Sequence, residues 1–233
     1  MPAPDYVKQI ISGESASGGT TLVLTLGATV PSVNNRLMLV FAWTSAAART
    51  VSSVVDSKGG VWTLSNSAAH AVSNSPTVAH YTSPNTVGLT TGDTITVTLT
   101  GTHTGMIGCM EEVTGCSGTV DASGTGTGTA SNNITASLTT VAASTLTFAA
   151  YGVVARVVPG PEDVDYNTTL DLLHSVSLLS LHVAYRDRTT AGADTYAINV
   201  TGLPNWDSIV TSFGAQSAGT VNTTWRTLAG VGN

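Results

Sequence analysis

Few residues in this chain have the type and spacing that chemistry requires. A serine nucleophile would need a G-x-S-x-G turn between a strand and a helix; Gly13-Glu14-Ser15-Ala16-Ser17 lacks the second glycine. Glu111 and Glu112 are adjacent in an extended segment. They point to opposite faces and cannot form the facing carboxylate pair of glycoside hydrolysis. Structural satisfaction by neighbouring hydroxyls or amides is the reading for Glu112. His70, His80, His103, His174 and His182 show neither H-x-H nor H-E-x-x-H spacing, and Cys109 and Cys116 form no C-x-x-C pair. The expectation is two buried thiols, no disulfide, no transition metal, no cofactor and no catalysis.

Two weaker constellations remain. Asp163, Asp165, Asn167, Thr169 and Asp171 place oxygen-bearing side chains at alternate positions, as a calcium loop does. Thr168 stands where such a loop needs glycine, and His174 where it needs a bidentate glutamate, so a solvated acidic loop is the favoured reading. Asn205, Trp206 and Asp207 form the one compact grouping of an aromatic ring with polar neighbours, a candidate glycan contact.

The elements that must carry these residues are strands. In Arg36 to Trp43, Leu37, Leu39, Phe41 and Trp43 fall on one face and Met38, Val40 and Ala42 on the other, so both faces need cover. This predicts a central strand. Val51–Val55, a turn at Asp56-Ser57-Lys58-Gly59-Gly60 and a return at Val61–Leu64 read as a hairpin. Leu22, Leu24 and Leu26 alternate with Thr21, Val23 and Thr25, and Ile95, Val97 and Leu99 alternate with threonines, each a sheet with one apolar face. No stretch keeps a helical period.

Segments recur about one hundred residues apart. ASTLTFAAY (143–151) echoes NRLMLVFAW (35–43), AGADTYAINVTG (191–202) echoes TGDTITVTLTG (91–101), and 206–213 takes the place of 106–113. The predicted fold is an all-β, antiparallel, jelly-roll-like β-sandwich built from two sequence-similar halves sharing one core. The halves are 20–117 and 132–215, joined by a Gly/Thr-rich connector at 118–131. An N-terminal arm with a first strand (1–19) precedes them, and a tail (216–233) follows.

Charged residues are 9% of the 233, against about 25% in an ordinary soluble domain, and the net charge is −6. With two lysines and no arginine cluster, a phosphate-tracking surface is absent, which excludes nucleic acid as a partner. The N-terminus shows no basic region followed by an apolar stretch, so no signal peptide is expected. The apolar run at 37–43 is far short of the about 20 residues a spanning helix needs, and no membrane association is expected.

The pattern Val54-Val55-Asp56-Ser57-Lys58-Gly59-Gly60-Val61-Trp62 is followed by a strand leading to Pro84-Asn85 and by Glu112-Val113-Thr114-Gly115. In this it resembles a lectin-like, jelly-roll β-sandwich domain of tailed-phage virion proteins, also found in bacterial surface proteins. The likeness covers roughly residues 20–215. It implies a non-catalytic virion component, a capsid decoration or minor tail protein assembled in the host cytoplasm, whose partners are other virion proteins and copies of itself. Tyr6, Trp225 and Leu228, in the terminal segments, are the expected assembly anchors. The alternative is a carbohydrate-binding or adhesion module with a cell-surface glycan as partner.

Overall fold

The computed structural model describes residues 3–30, 35–69, 75–154, 165–173 and 178–216. Within them the chain forms fifteen strands, all paired antiparallel, and no helix. The first eight are β1 (Asp5–Ser15), β2 (Thr21–Thr25), β3 (Arg36–Thr44), β4 (Val51–Asp56), β5 (Thr63–Ala69), β6 (Pro76–Pro84), β7 (Thr94–Leu99) and β8 (Gly105–Thr114). The rest are β9 (Cys116–Gly128), β10 (Asn133–Thr140), β11 (Thr145–Val154), β12 (Asn167–Leu173), β13 (Leu179–Arg188), β14 (Gly192–Asn199) and β15 (Trp206–Ala215). The all-β, antiparallel sandwich expected from the alternation is what the chain forms. Among the described residues no helix is long and apolar enough to cross a membrane.

The sheets stack in four layers. β2-β7-β4 packs on one face of β1-β8-β3-β6-β5; the other face of that sheet packs on β12-β13-β11-β15-β9, whose far face is covered by β10-β14. The two five-stranded sheets share the central apolar cluster, and each outer interlayer space holds a further one. β3 serves two of them. Leu37, Leu39, Phe41 and Trp43 point into the outer cluster, and Met38, Val40 and Ala42 into the central one. β11 does the same in the second five-stranded sheet, with Leu146, Phe148 and Ala150 central and Ala149, Tyr151 and Val153 outer.

The five-stranded sheets run in corresponding order, β1-β8-β3-β6-β5 and β9-β15-β11-β13-β12, and β2-β7 corresponds to β10-β14. The echoing segments fall on corresponding strands: β3 with β11, β7 with β14, β8 with β15.

Two boundaries differ from expectation. The segment 51–64 is not a hairpin, because β4 pairs with β7 in the outer sheet whereas β5 pairs with β6 in the five-stranded one. Its turn carries the chain from one layer to the next. The first strand expected in the N-terminal segment is an eleven-residue edge strand registered along β8. The connector at 118–131 lies mostly in β9, paired with β15 from Gly128↔Trp206 to Cys116↔Ala215. Its glycines are there for close approach. A Cβ on Gly124 or Gly126 would lie 1.8 or 1.9 Å from the carbonyl oxygens of Ser137 and Thr135 on β10.

Polar and aromatic contacts also cross the central layer. The Asn66 amide on β5 donates to the carbonyls of Gly124 and Val210, at 3.0 Å each. Tyr6 on β1 stacks on Tyr185 of β13 with ring centroids 4.3 Å apart. His80 on β6 is buried edge-on between Phe148 and Phe213, at 5.7 and 5.5 Å. Burial pushes its imidazole down to about 3.

Two outcomes follow. Gly126→Val should lower stability by about 3 kcal/mol or more in urea unfolding, or prevent folding, because backbone occupies the new side chain's space; an unchanged midpoint would contradict the packing of β9 under β10. His80 stays neutral when folded but takes up a proton near pH 6.5 when unfolded. Its contribution is therefore intact above pH 6.5 and shrinks by up to about 1.4 kcal/mol per pH unit as pH falls toward 3. His80→Leu should flatten that part of the stability–pH curve, and an unaltered slope would count against it.

Candidate functional site

The sequence motif around Asp56 is a structural device. Oδ1 of Asp56 accepts the backbone amides of Lys58 and Gly60, both at 2.9 Å, and Oδ2 accepts the Trp62 indole N–H at 3.0 Å. Gly59 adopts φ +78°, and a Cβ on Gly60 would strike the Asp56 carboxylate at 2.2 Å. The spacing D-x-x-G-G-x-W is thus the set of residues needed to wrap one carboxylate at the layer crossing. The adjoining turn is tied in through Asp93, which accepts the Thr90 amide at 2.7 Å and the Ser57 hydroxyl at 2.8 Å. Those bonds hold the Asp93 carboxyl down to about 2.

The other motif residues meet at the same end of the first five-stranded sheet. In register, Arg36 stands between Pro84 on β6 and Val113 on β8, and the Asn85 amide donates to the Asn35 carbonyl at 3.0 Å. Glu112 is buried, accepts the Asn35 side-chain amide at 2.6 Å and lies 3.8 Å from Lys8. It is satisfied structurally, as its place on the strand predicts. Gly115 has φ +67°, and a Cβ there would meet the Ala3 carbonyl at 2.6 Å.

Between these segments opens a cleft of about 290 Å³, lined by Asn35, Arg36, Pro84, Asn85, Thr86, Cys116 and Gln216. The Arg36 guanidinium lies over Gly118, where a Cβ would sit 2.2 Å from Nη2. It is half-buried, and burial lowers its pKa, partly offset by the Cys116 sulfur. No described residue forms an ion pair or a hydrogen bond with it. Burial pushes the Cys116 thiol up to about 12, Arg36 opposing and Asp187 and Asp5 adding to the rise. The thiol is therefore protonated at neutral pH and is no nucleophile. Cys109 is buried and raised in the same direction, mainly by burial and then by Glu111, and both cysteines are free. The cleft can bind an anion; it holds no activated group.

The residues singled out in the sequence are placed elsewhere. Trp206 is 4% exposed, its ring pressed on Gly128 in the cluster under β10 and β14. Asp207 is fully buried. Asn205 donates to Ser75 Oγ and accepts the Ala130 amide, both at 3.3 Å. The glycan reading of these three is corrected: a ring enclosed on a sheet face offers no stacking surface to a sugar.

Of the calcium candidates, Asp165 and Asn167 have described side chains. Asn167 begins strand β12, and Asp165 pairs with Arg186 at 2.9 Å. Asp163 lies outside the described residues, and Asp171 lies within β12 opposite His182. Among the described residues no three His, Cys, Asp or Glu side chains gather as metal ligands would. Arg186 and Arg188 instead close on buried Asp194, each at 2.8 Å. Of the expected anchors, Tyr6 is engaged within the chain by Tyr185, and Trp225 and Leu228 lie outside the described residues.

Sequence reasoning missed Arg36 as a site residue because it opens the apolar central strand and reads as that strand's polar boundary. A lone arginine before seven apolar residues, with glycine at 118, is the only trace the cleft leaves in the sequence. Comparison of the chain with protein-family models, curated proteins and solved structures returns no match.

Asp56→Ala should lower stability by about 1–3 kcal/mol, because three donors lose their acceptor, while Trp62→Phe, which removes only the indole donor, should cost less. Urea midpoints compare them, and equal effects would deny the carboxylate its organising role.

Proposed function

We propose that the chain is a non-catalytic structural component of a tailed-phage virion, exposed on the capsid as a decoration or on the tail as a minor protein. The observation that carries this reading is the character of the outermost faces. On the three-stranded sheet the outward row Val23–Thr96–Val55 is flanked by Thr21, Thr98 and Ser53 and by Thr25 and Thr94. On the two-stranded sheet the outward residues are Asn133, Thr135, Ser137 and Thr139 opposite Asn199, Ala197, Thr195 and Ala193. Neither face carries a charge. Surfaces of this kind associate through area and symmetry rather than ion pairs, which suits a protein repeated many times on a particle.

The residues that carry the resemblance support the same reading. Asp56, Gly59, Gly60 and Trp62 build a turn and Glu112 secures a strand end, so the motif maintains a scaffold rather than a reaction. The corresponding strand orders of the two five-stranded sheets support descent of the halves from one duplicated unit. Partners are other virion proteins and further copies of the chain.

Immunogold labelling and mass spectrometry of purified phage particles test the proposal. The chain should be present in fixed copy number and stay bound in about 0.5 M salt, where exposed charge pairs are screened. Absence from particles, or release at that salt, would overturn it.

A further inference from the structure

We infer that the Arg36 cleft is a binding site for a carboxylated sugar, one uronic-acid unit engaged by its carboxylate and hydroxyl groups. Holding a guanidinium away from bulk water without a counter-ion is unfavourable, and the usual remedy is a carboxylate of the same chain. Arg36 has none among the described residues, and its guanidinium is half-buried. Gly118 gives it a seat on the backbone that any side chain at that position would take away. A positioned guanidinium with an open fork matches the planar geometry of a carboxylate.

The charge balance narrows the ligand. Arg36 is the one cation in the lining, so the site suits a single negative charge rather than a phosphate chain or a nucleic-acid backbone. Negative groups nearby do not fill the role. Glu112 pairs in register with Leu37, which points into the outer cluster, whereas Arg36 pairs with Val113 of the central cluster, so the two side chains leave opposite faces of the sheet. The Cys116 thiol is neutral, and Asp5 and Asp187 act on that thiol without pairing with Arg36.

The rest of the lining distinguishes a sugar from a bare anion. Gln216 brings an amide group and Thr86 a hydroxyl, both on exposed residues, the donor–acceptor mixture that hydroxyl groups of a pyranose require. Pro84 adds an apolar edge. At about 290 Å³ the cleft is at the small end of ligand pockets, of a size for one ring and not for an oligosaccharide. The inference is independent of where the protein resides, and loss of the virion assignment would leave it standing.

Calorimetric titration of the full chain at pH 7 with galacturonic acid, galactose and acetate tests it. Galacturonic acid should bind saturably, with galactose and acetate each about tenfold weaker or more, since each lacks one half of the recognition. Arg36→Gln should abolish galacturonic acid binding, and Arg36→Lys should weaken it about tenfold by losing the bidentate fork, with circular dichroism unchanged. Thr86 is exposed, so Thr86→Val keeps the fold and should weaken galacturonic acid while leaving acetate unchanged. No saturable binding, equal affinity for galacturonic acid and acetate, or undiminished affinity in Arg36→Gln would each overturn the inference. If Arg36→Gln does not fold, an unaltered galacturonic acid affinity in Thr86→Val overturns it instead.

Discussion

The fold depends on one constraint: two strands, β3 and β11, are apolar on both faces, and a strand of that kind is stable only with a layer on each side. Placing the two five-stranded sheets back to back covers one face of each. Their outer faces then need lids, which β2-β7-β4 and β10-β14 supply. The four-layer order follows from this requirement. Each fully buried Leu, Val, Ile, Met or Phe contributes roughly 1.5–3 kcal/mol, so the central cluster, drawn from both sheets, is too large a share of the total to be left exposed by either half.

Within that frame the polar groups have specific tasks. Asn66 and the Tyr6–Tyr185 stack align the two sheets, and Asp194 gathers two arginines beside the second outer layer. Asp56 fixes the crossing between layers. The low charge of the chain is matched by sheet faces finished with threonine and serine, and five ion pairs join charges among the described residues. Arg36 is in none of them. What turns the strand end into a site is that the Arg36 guanidinium, with no ion pair among the described residues, lines an open cleft.

Much of the fold is legible in the sequence because periodicity is local. The leucines of β2, the Ile95-Val97-Leu99 face of β7 and the doubly apolar β3 need only the pleat to be interpreted. What escaped depended on partners distant in sequence. The turn at 56–60 has the chemistry of a hairpin, and only pairing with β6 and β7 reveals a change of layer. The glycines of β9 resemble a flexible linker until β10 is laid across them, although the alternation Gly124-Thr125-Gly126-Thr127-Gly128 already has a strand's period. Trp206 looked available among polar neighbours, but its strand is central and its ring faces inward. Asp165 looked like a ligand in a spacing pattern, and only the fold brings Arg186 to it. Arg36 gave almost no signal, since a cleft is a property of the segments that surround it.

Native-state hydrogen exchange followed by mass spectrometry addresses most directly whether the central interface makes the stack one cooperative unit. Amides of β3 and β11 should exchange through a common global opening, with protection free energies within about 1 kcal/mol of each other and of the unfolding free energy. Exchange of β11 at a much lower free energy than β3, with β3 still protected, would show two independently stable halves and contradict the account.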